Sequence, residues 1–191
     1  YNNGRLYHSL GDISRAVRSI EYALKMINNS TNKELLPYCL NSLGFISKEQ
    51  QDIEKAMEFH QRAYIAAQQL NDDEALAYTI TCTAIVLFEL KRFPEAQKNF
   101  SDALAVYKKV GDVQNQAAEL YHLGQVGYET NQYPEAMKNY GEALTLYIKR
   151  NDRPGLASVY NSLGKLHLQQ HDVHQAETYF QKSFLLFLLF V

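Results

Sequence analysis

A period of forty residues runs through the chain. Gly4, Gly44, Gly124 and Gly164 are spaced by multiples of forty, and Ala84 fills the missing slot. Ala16, Ala56, Ala96, Ala136 and Ala176 recur every forty without a gap. Seven residues further on stand Ala23, Ala63, Ala103, Ala143 and then Ser183. Four residues after each alanine of the first set sits a larger side chain: Ile20, His60, Phe100, Tyr140 and Phe180. Chance would not align four such columns. A repeat of this length is one supersecondary unit that cannot bury its apolar face alone and must stack on its neighbours.

Each unit reads as two helices. In the fourth, Leu120, Leu123, Gly124 and Gly127 form one stripe at helical spacing. Asn131-Gln132 interrupts the pattern. Pro134 then falls in the first turn of a second helix, where its missing N–H costs nothing. That helix carries Ala136, Tyr140, Ala143, Leu144 and Tyr147 on its apolar face. Asp12, Asp52 and Asp172 precede second helices as N-caps. Between units lie Asn71-Asp72, Gly111-Asp112 and Asn151-Asp152. The first residue of each pair ends a helix in the left-handed conformation and the aspartate caps the next. Glycine and alanine let two helices approach closely, and the larger residue fills the gap between them.

The columns carried by Leu43-Gly44 with Ala56 and Ala63, by Leu123-Gly124 with Ala136, Tyr140 and Ala143, and by Leu163-Gly164 with Ala176 and Phe180 resemble the tetratricopeptide repeat. The resemblance covers nearly the whole chain as about five helix-turn-helix units, approximately 1–31, 32–71, 72–111, 112–151 and 152–191, in a single array. The first unit is expected to be truncated and the chain to be a piece of a longer protein. Forty residues per unit, rather than the usual thirty-four or so, is similar to a longer-helix subgroup found in spindle-orientation scaffolds and bacterial signalling proteins. Unit three departs from the pattern with Thr83-Ala84, unit two has His60 where an aromatic is usual, and tryptophan is absent. The resemblance implies an all-α fold, a right-handed α-α superhelix, whose concave groove holds an extended or helical peptide.

With the small residue of each first helix numbered eight, positions four, seven, eight and eleven cluster as core. Positions two, five, nine, twelve and thirteen lie roughly opposite, at about 100° per residue. The candidate groove is thus Tyr38, Asn41 and Phe45 (with Lys48 and Glu49) in unit two. Tyr78, Thr81, Ile85, Phe88 and Glu89 follow in unit three, Tyr121, Gln125, Tyr128 and Glu129 in unit four, and Asn161 and Lys165 (with Leu168 and Gln169) in unit five. Apolar and aromatic side chains on an otherwise solvated face suit a binding surface; packing between neighbouring first helices is the alternative. Glu49, Glu89 and Glu129 would form a carboxylate ladder, to meet a partner's Lys or Arg or to face solvent. The carboxylate clamp of chaperone-tail-binding family members needs Lys at position five and Asn at position nine. Position five holds Tyr1, Asn41, Thr81, Tyr121 and Asn161, and position nine Arg5, Phe45, Ile85, Gln125 and Lys165, so an acidic C-terminal tail is disfavoured.

The remaining features narrow the function. With 19 basic against 21 acidic residues, no basic excess supports nucleic-acid binding. No run of 18 apolar residues supports a membrane span, and no signal peptide is visible. Cys39 and Cys82 fall in different first helices, against a redox pair, and two cysteines suit a reducing compartment such as the cytoplasm. No phosphate loop, dinucleotide fingerprint or nucleophile elbow is present, so the chain reads as a non-enzyme that needs no cofactor. His167, His171 and His174 with Asp172 form the densest ligand-like cluster. His171 falls at a turn, which breaks the geometry a metal would need. His60 reads as a packed core histidine. The leading function is a protein-interaction module; the alternatives are a regulatory or sensor segment of a larger signalling enzyme or transcription regulator, and a self-assembling scaffold. The last helix is apolar on more than one face. A further helix or a second copy of the chain must cover it; with no further helix, Phe184, Phe187, Leu188 and Phe190 are expected to drive self-association, most simply as a two-fold homodimer through the C-terminal helix.

Overall fold

The computed structural model describes residues 1–188; of these, the Phe187 side chain is not described. Ten α-helices and no strand occur among the described residues. They are α1 (Asn2–Ser9), α2 (Ile13–Asn28), α3 (Leu36–Glu49), α4 (Ile53–Leu70), α5 (Asp73–Glu89), α6 (Phe93–Val110), α7 (Val113–Glu129), α8 (Tyr133–Arg150), α9 (Arg153–Gln169) and α10 (Val173–Leu188). Odd-numbered helices are the first, or A, helices of the repeat and even-numbered ones the B helices. The chain packs as two compact units, residues 1–99 and 100–191, with the border inside α6. The first unit holds the α1–α2 and α3–α4 hairpins and α5. The second holds the α7–α8 and α9–α10 hairpins.

Local sequence fixes the helix ends. Asp12, Asp52 and Asp172 accept hydrogen bonds from the backbone N–H groups of Arg15, Lys55 and Gln175. Asp72, Asp112 and Asp152 do the same for Ala75, Asn115 and Gly155, so caps recur at both kinds of turn. Left-handed residues recur every twenty positions from Gln51 through Asn71, Lys91, Gly111, Asn131 and Asn151 to His171, and Gly11 stands forty before the first of them. The reading of Asn71, Gly111 and Asn151 as helix stops is borne out. Gln51, Lys91 and His171 take the same conformation without the residue types that announce it.

The close A–B contacts are where the columns place them. A Cβ on Gly4 would lie 2.5 Å from Ile20, on Gly44 2.5 Å from His60, and on Gly164 2.6 Å from Phe180. Only hydrogen fits at these positions, and the larger B-helix side chain occupies the space instead. Ala16, Ala56, Ala96 and Ala136 are fully buried.

The A helices are buried on a second side that the four-position stripe omits. Position three (Cys39, Thr79, Glu119 and Val159) and position ten (Ile46, Val86, Val126 and Leu166) are buried throughout. Cys39 and Ile46 of α3 share a core with Ala16, Ile20 and Ile27 of α2. Val159 and Leu166 of α9 share one with Ala136, Tyr140, Ala143 and Tyr147 of α8. Positions three and ten therefore pack on the preceding B helix, while position eight packs on its own. Burial on both flanks leaves the A helix a narrow open face.

Candidate interaction face

In residues 1–99 the open face is built from α3 and α5, with α1 beside them. Tyr38 and Phe45 of α3, and Tyr78, Thr81, Ile85 and Phe88 of α5, are half-buried. The Tyr38 and Tyr78 rings lie 5.5 Å apart, tilted by 33°. Burial raises the pKa of both phenols, and for Tyr38 Asp72 and Glu74 push the same way. Phe45 meets His60 edge-on at 5.5 Å, and the Lys48 ammonium stands 5.6 Å from the Phe45 ring centre. Thr81 Oγ1 donates back to the Ala77 carbonyl. A cavity of about 260 Å³ in this unit is lined by Arg5, His8, Ser42, Phe45 and Tyr78, among others. Arg5 and His8 were not among the expected groove residues. The signal was available, since Arg5 shares position nine with Phe45.

Two expectations change on this face. Asn41 lies inside the packing, with no exposed surface. Its Nδ2 donates to Thr79 Oγ1 at 2.8 Å, and its Oδ1 faces His60 Nδ1 at 2.9 Å. Position five borders position three of the next A helix closely enough for a polar pair to form there, and so Asn41 belongs to the repeat-to-repeat contact. The first two rungs of the carboxylate ladder are half-exposed and paired within the fold. Glu49 Oε2 meets His8 Nε2 at 2.9 Å, and Glu89 Oε1 accepts from Lys48 Nζ at 2.7 Å. In both rungs position thirteen takes a basic side chain from position twelve of the preceding A helix. Glu49 and Glu89 thus have partners within the fold, and all three glutamates remain exposed.

In residues 100–191 the face is built from α7 and α9. Tyr121, Gln125 and Tyr128 are half-buried, as is Asn161, and Lys165 is exposed. Gln125 Nε2 donates to the Tyr121 hydroxyl at 3.3 Å, which leaves its Oε1 to accept from His122 Nδ1 at 2.9 Å. The His122 ring stacks on Phe100, and burial holds its pKa below the usual imidazole range. Ser162 of α9 donates to the Tyr121 hydroxyl at 3.4 Å. Tyr128 leans on Tyr133 at 6.1 Å, in the same slots in which Phe88 leans on Phe93 at 5.5 Å. Position twelve therefore splits its surface between the open face and the start of its own B helix.

The other candidates separate. His167 stacks on Tyr179 and contacts Asp172 at 3.3 Å, while His171 and His174 are exposed. Among the described residues no group of three His, Cys, Asp or Glu side chains gathers to hold a metal. Cys39 and Cys82 are both buried thiols, not joined to each other. His60 is 1% exposed and is a core residue, as its place in the repeat required. Phe184 and Leu188 are exposed on α10. The Phe187 side chain and Phe190 lie outside the described residues. No helix among the described residues is long and apolar enough to cross a membrane.

An all-α protein of repeated helical hairpins, each pressing a large B-helix side chain onto a small A-helix residue, belongs to the helical-repeat class. Solved structures with this fold include BtubC (BKLC) from P. vanneervenii, 19% identical, with a TM-score of 0.79 over 98% of this chain and 78% of that one. Aspartyl phosphate phosphatase F from Bacillus subtilis is 16% identical, with a TM-score of 0.82 over 96% of this chain and 48% of that one. A putative kinesin light chain from Podosopora anserina with nearly identical TPR-like repeats is 13% identical, with a TM-score of 0.70 over 96% and 90%. No curated protein matches the sequence. A profile of the tetratricopeptide repeat matches residues 73–149 and again 117–184, together more than half of the chain. The chain belongs to the tetratricopeptide repeat family, a family of protein-interaction modules.

Proposed function

We propose that this chain binds a peptide or helix of a protein partner along the open face of its A helices. The observation that carries the reading is the cavity of about 260 Å³ beside α3, where Phe45 and Tyr78 stand with Arg5, His8 and Ser42. It has aromatic walls for an apolar anchor and donors to orient a polar backbone, the composition of a side-chain pocket. Tyr38, Thr81, Ile85 and Phe88 extend the same face. Tyr121, Gln125, Tyr128, Glu129, Asn161 and Lys165 supply the corresponding face of the second unit. Aromatic anchors set affinity, and the rim charges affect mainly the rate of encounter.

A peptide library displayed against the chain tests this reading. Selected sequences should lose affinity about tenfold or more when Phe45 is changed to Ala or Ile85 to Glu, and keep it when exposed Ile148 on α8 is changed to Glu. Binders indifferent to the first two changes would place recognition elsewhere.

A further inference from the structure

The junction between α2 and α3 departs from the other junctions between repeats. Elsewhere a B helix passes to the next A helix through two residues, Asn71-Asp72, Gly111-Asp112 or Asn151-Asp152. The first of each pair is left-handed, and the aspartate caps the helix that follows. Between α2 and α3 the chain runs through residues 29–35, and Thr31-Asn32 fills the slot of the pair. Asn29, which closes α2, is at φ −90°, and Leu35 gives α3 no side-chain cap. A side chain from the linker closes α2 instead. Lys33 Nζ donates to the Ile27 carbonyl at 2.7 Å and to the Asn28 carbonyl at 3.1 Å. The last carbonyls of a helix have no partner within it, and a cation there also meets the negative end of the helix dipole.

We propose that residues 29–35 are a hinge, that Lys33 is the latch holding it shut, and that the α1–α2 hairpin is the part that moves. A two-residue turn pinned at both ends leaves a hairpin little freedom against the next helix, whereas a longer loop absorbs the backbone rotations of a hinge. The cavity at the interaction face lies across this hinge. Arg5, His8 and Ser9 of α1 line it on the hairpin side, and Ser42 and Phe45 of α3 with Tyr78 of α5 on the other. Apart from the linker, the hairpin is held to α3 by Ile20 and Ile27 against Cys39 and Ile46, and by the contact of His8 with Glu49. With Lys33 on the α2 carbonyls the linker is folded back, and the two walls face each other at the observed spacing. With Lys33 released the linker extends and the walls part, so the latch sets how firmly the cavity grips a partner's side chain. The link to binding rests on the reading of that cavity as a partner site; the latch itself does not.

Amide hydrogen exchange on the chain alone tests the latch. Lys33→Met keeps most of the aliphatic stem and removes the charge. Exchange should speed up about tenfold or more in α1 and in the last turn of α2, and stay within about twofold in α4 and from α7 to α10. Lys33→Arg, which still reaches the carbonyls, should restore the wild-type rates. Unchanged exchange in α1 of Lys33→Met would overturn the proposal. So would an equal rise along the whole chain, which is lost stability without a hinge. Peptides selected against the wild-type chain and weakened by Phe45→Ala then test the link to binding. Lys33→Met should weaken them about threefold or more, and Lys33→Arg should not. Unchanged binding beside faster exchange in α1 would show that the hinge does not govern the cavity. Peptides indifferent to Phe45→Ala would remove the partner site, and the exchange rates would still decide the latch.

Discussion

His60 Nδ1 lies 2.9 Å from Asn41 Oδ1, and the direction of that hydrogen bond follows from the groups behind it. Thr79 Oγ1 donates to the Ala75 carbonyl, so it accepts from Asn41 Nδ2. The Asn41 oxygen is thereby turned to the histidine, which must donate from Nδ1. His60 is held as the neutral Nδ1–H tautomer, and its Nε2 is buried without a hydrogen-bond partner. Burial, with a smaller push from Lys48, lowers the His60 pKa from 6.5 to about 4.

Acid should therefore weaken the fold through this residue. Between pH 6.5 and about 4 the unfolded chain binds a proton that the folded chain refuses, so stability falls as pH falls through that window. The loss is on the order of 3 kcal/mol when complete. His60→Phe, which copies Phe100 of the next repeat, should remove this part of the pH dependence. It should also cost about 1–3 kcal/mol at neutral pH by orphaning Asn41. Chemical denaturation of both proteins across the window reads both effects. Parallel pH profiles would show that His60 is not the group responsible.

Ala136 is fully buried, and a Cβ on Gly127 would lie 3.1 Å from its backbone nitrogen. Ala136→Leu should overpack this contact and cost about 1–3 kcal/mol. Urea unfolding checks it; a neutral result would contradict the alanine column as a close-contact position.

Lys91 sits at φ 58°, closing α5 with its N–H on the Phe88 carbonyl. A side chain there strains the backbone, and glycine is the usual occupant. Lys91→Gly should stabilise by about 0.5–1 kcal/mol and raise Tm by roughly 1–4 °C. A fall in Tm would mean that Lys91 makes up the strain by other contacts.

The Lys48–Glu89 pair joins neighbouring A helices at 2.7 Å, with the lysine side chain 18% and the glutamate 50% exposed. Glu89→Lys should destabilise by about 0.5–1 kcal/mol, and Lys48→Glu in the same chain should restore most of the loss. Added salt should shrink both effects. Failure of the second change to rescue the first would show that the pair does not couple the helices.

The period of forty exposed the hairpins, their caps and the small-against-large contacts, because each rests on a residue type that few alternatives can replace. The second buried side of the A helices was hidden. Cys39, Thr79, Glu119 and Val159 share a position but no chemistry, so no column of like residues marks it. The left-handed Gln51 and Lys91 were hidden likewise, because the hairpin imposes that conformation on residues that do not favour it. Asn41 was misplaced, and the partners of Glu49 and Glu89 were missed, for one reason. A helical wheel assigns a direction to a side chain, but neighbouring helices decide what stands in that direction. Here Thr79 and His60 enclose the amide, and His8 and Lys48 reach the carboxylates.

Amide hydrogen exchange on the chain with and without a peptide selected against it tests the central claim most directly. Binding along the A-helix face should slow exchange in α3 and α5, or in α7 and α9, and leave α4 and α8 unchanged. Protection confined to the B helices, with the A helices unaffected, would contradict the account.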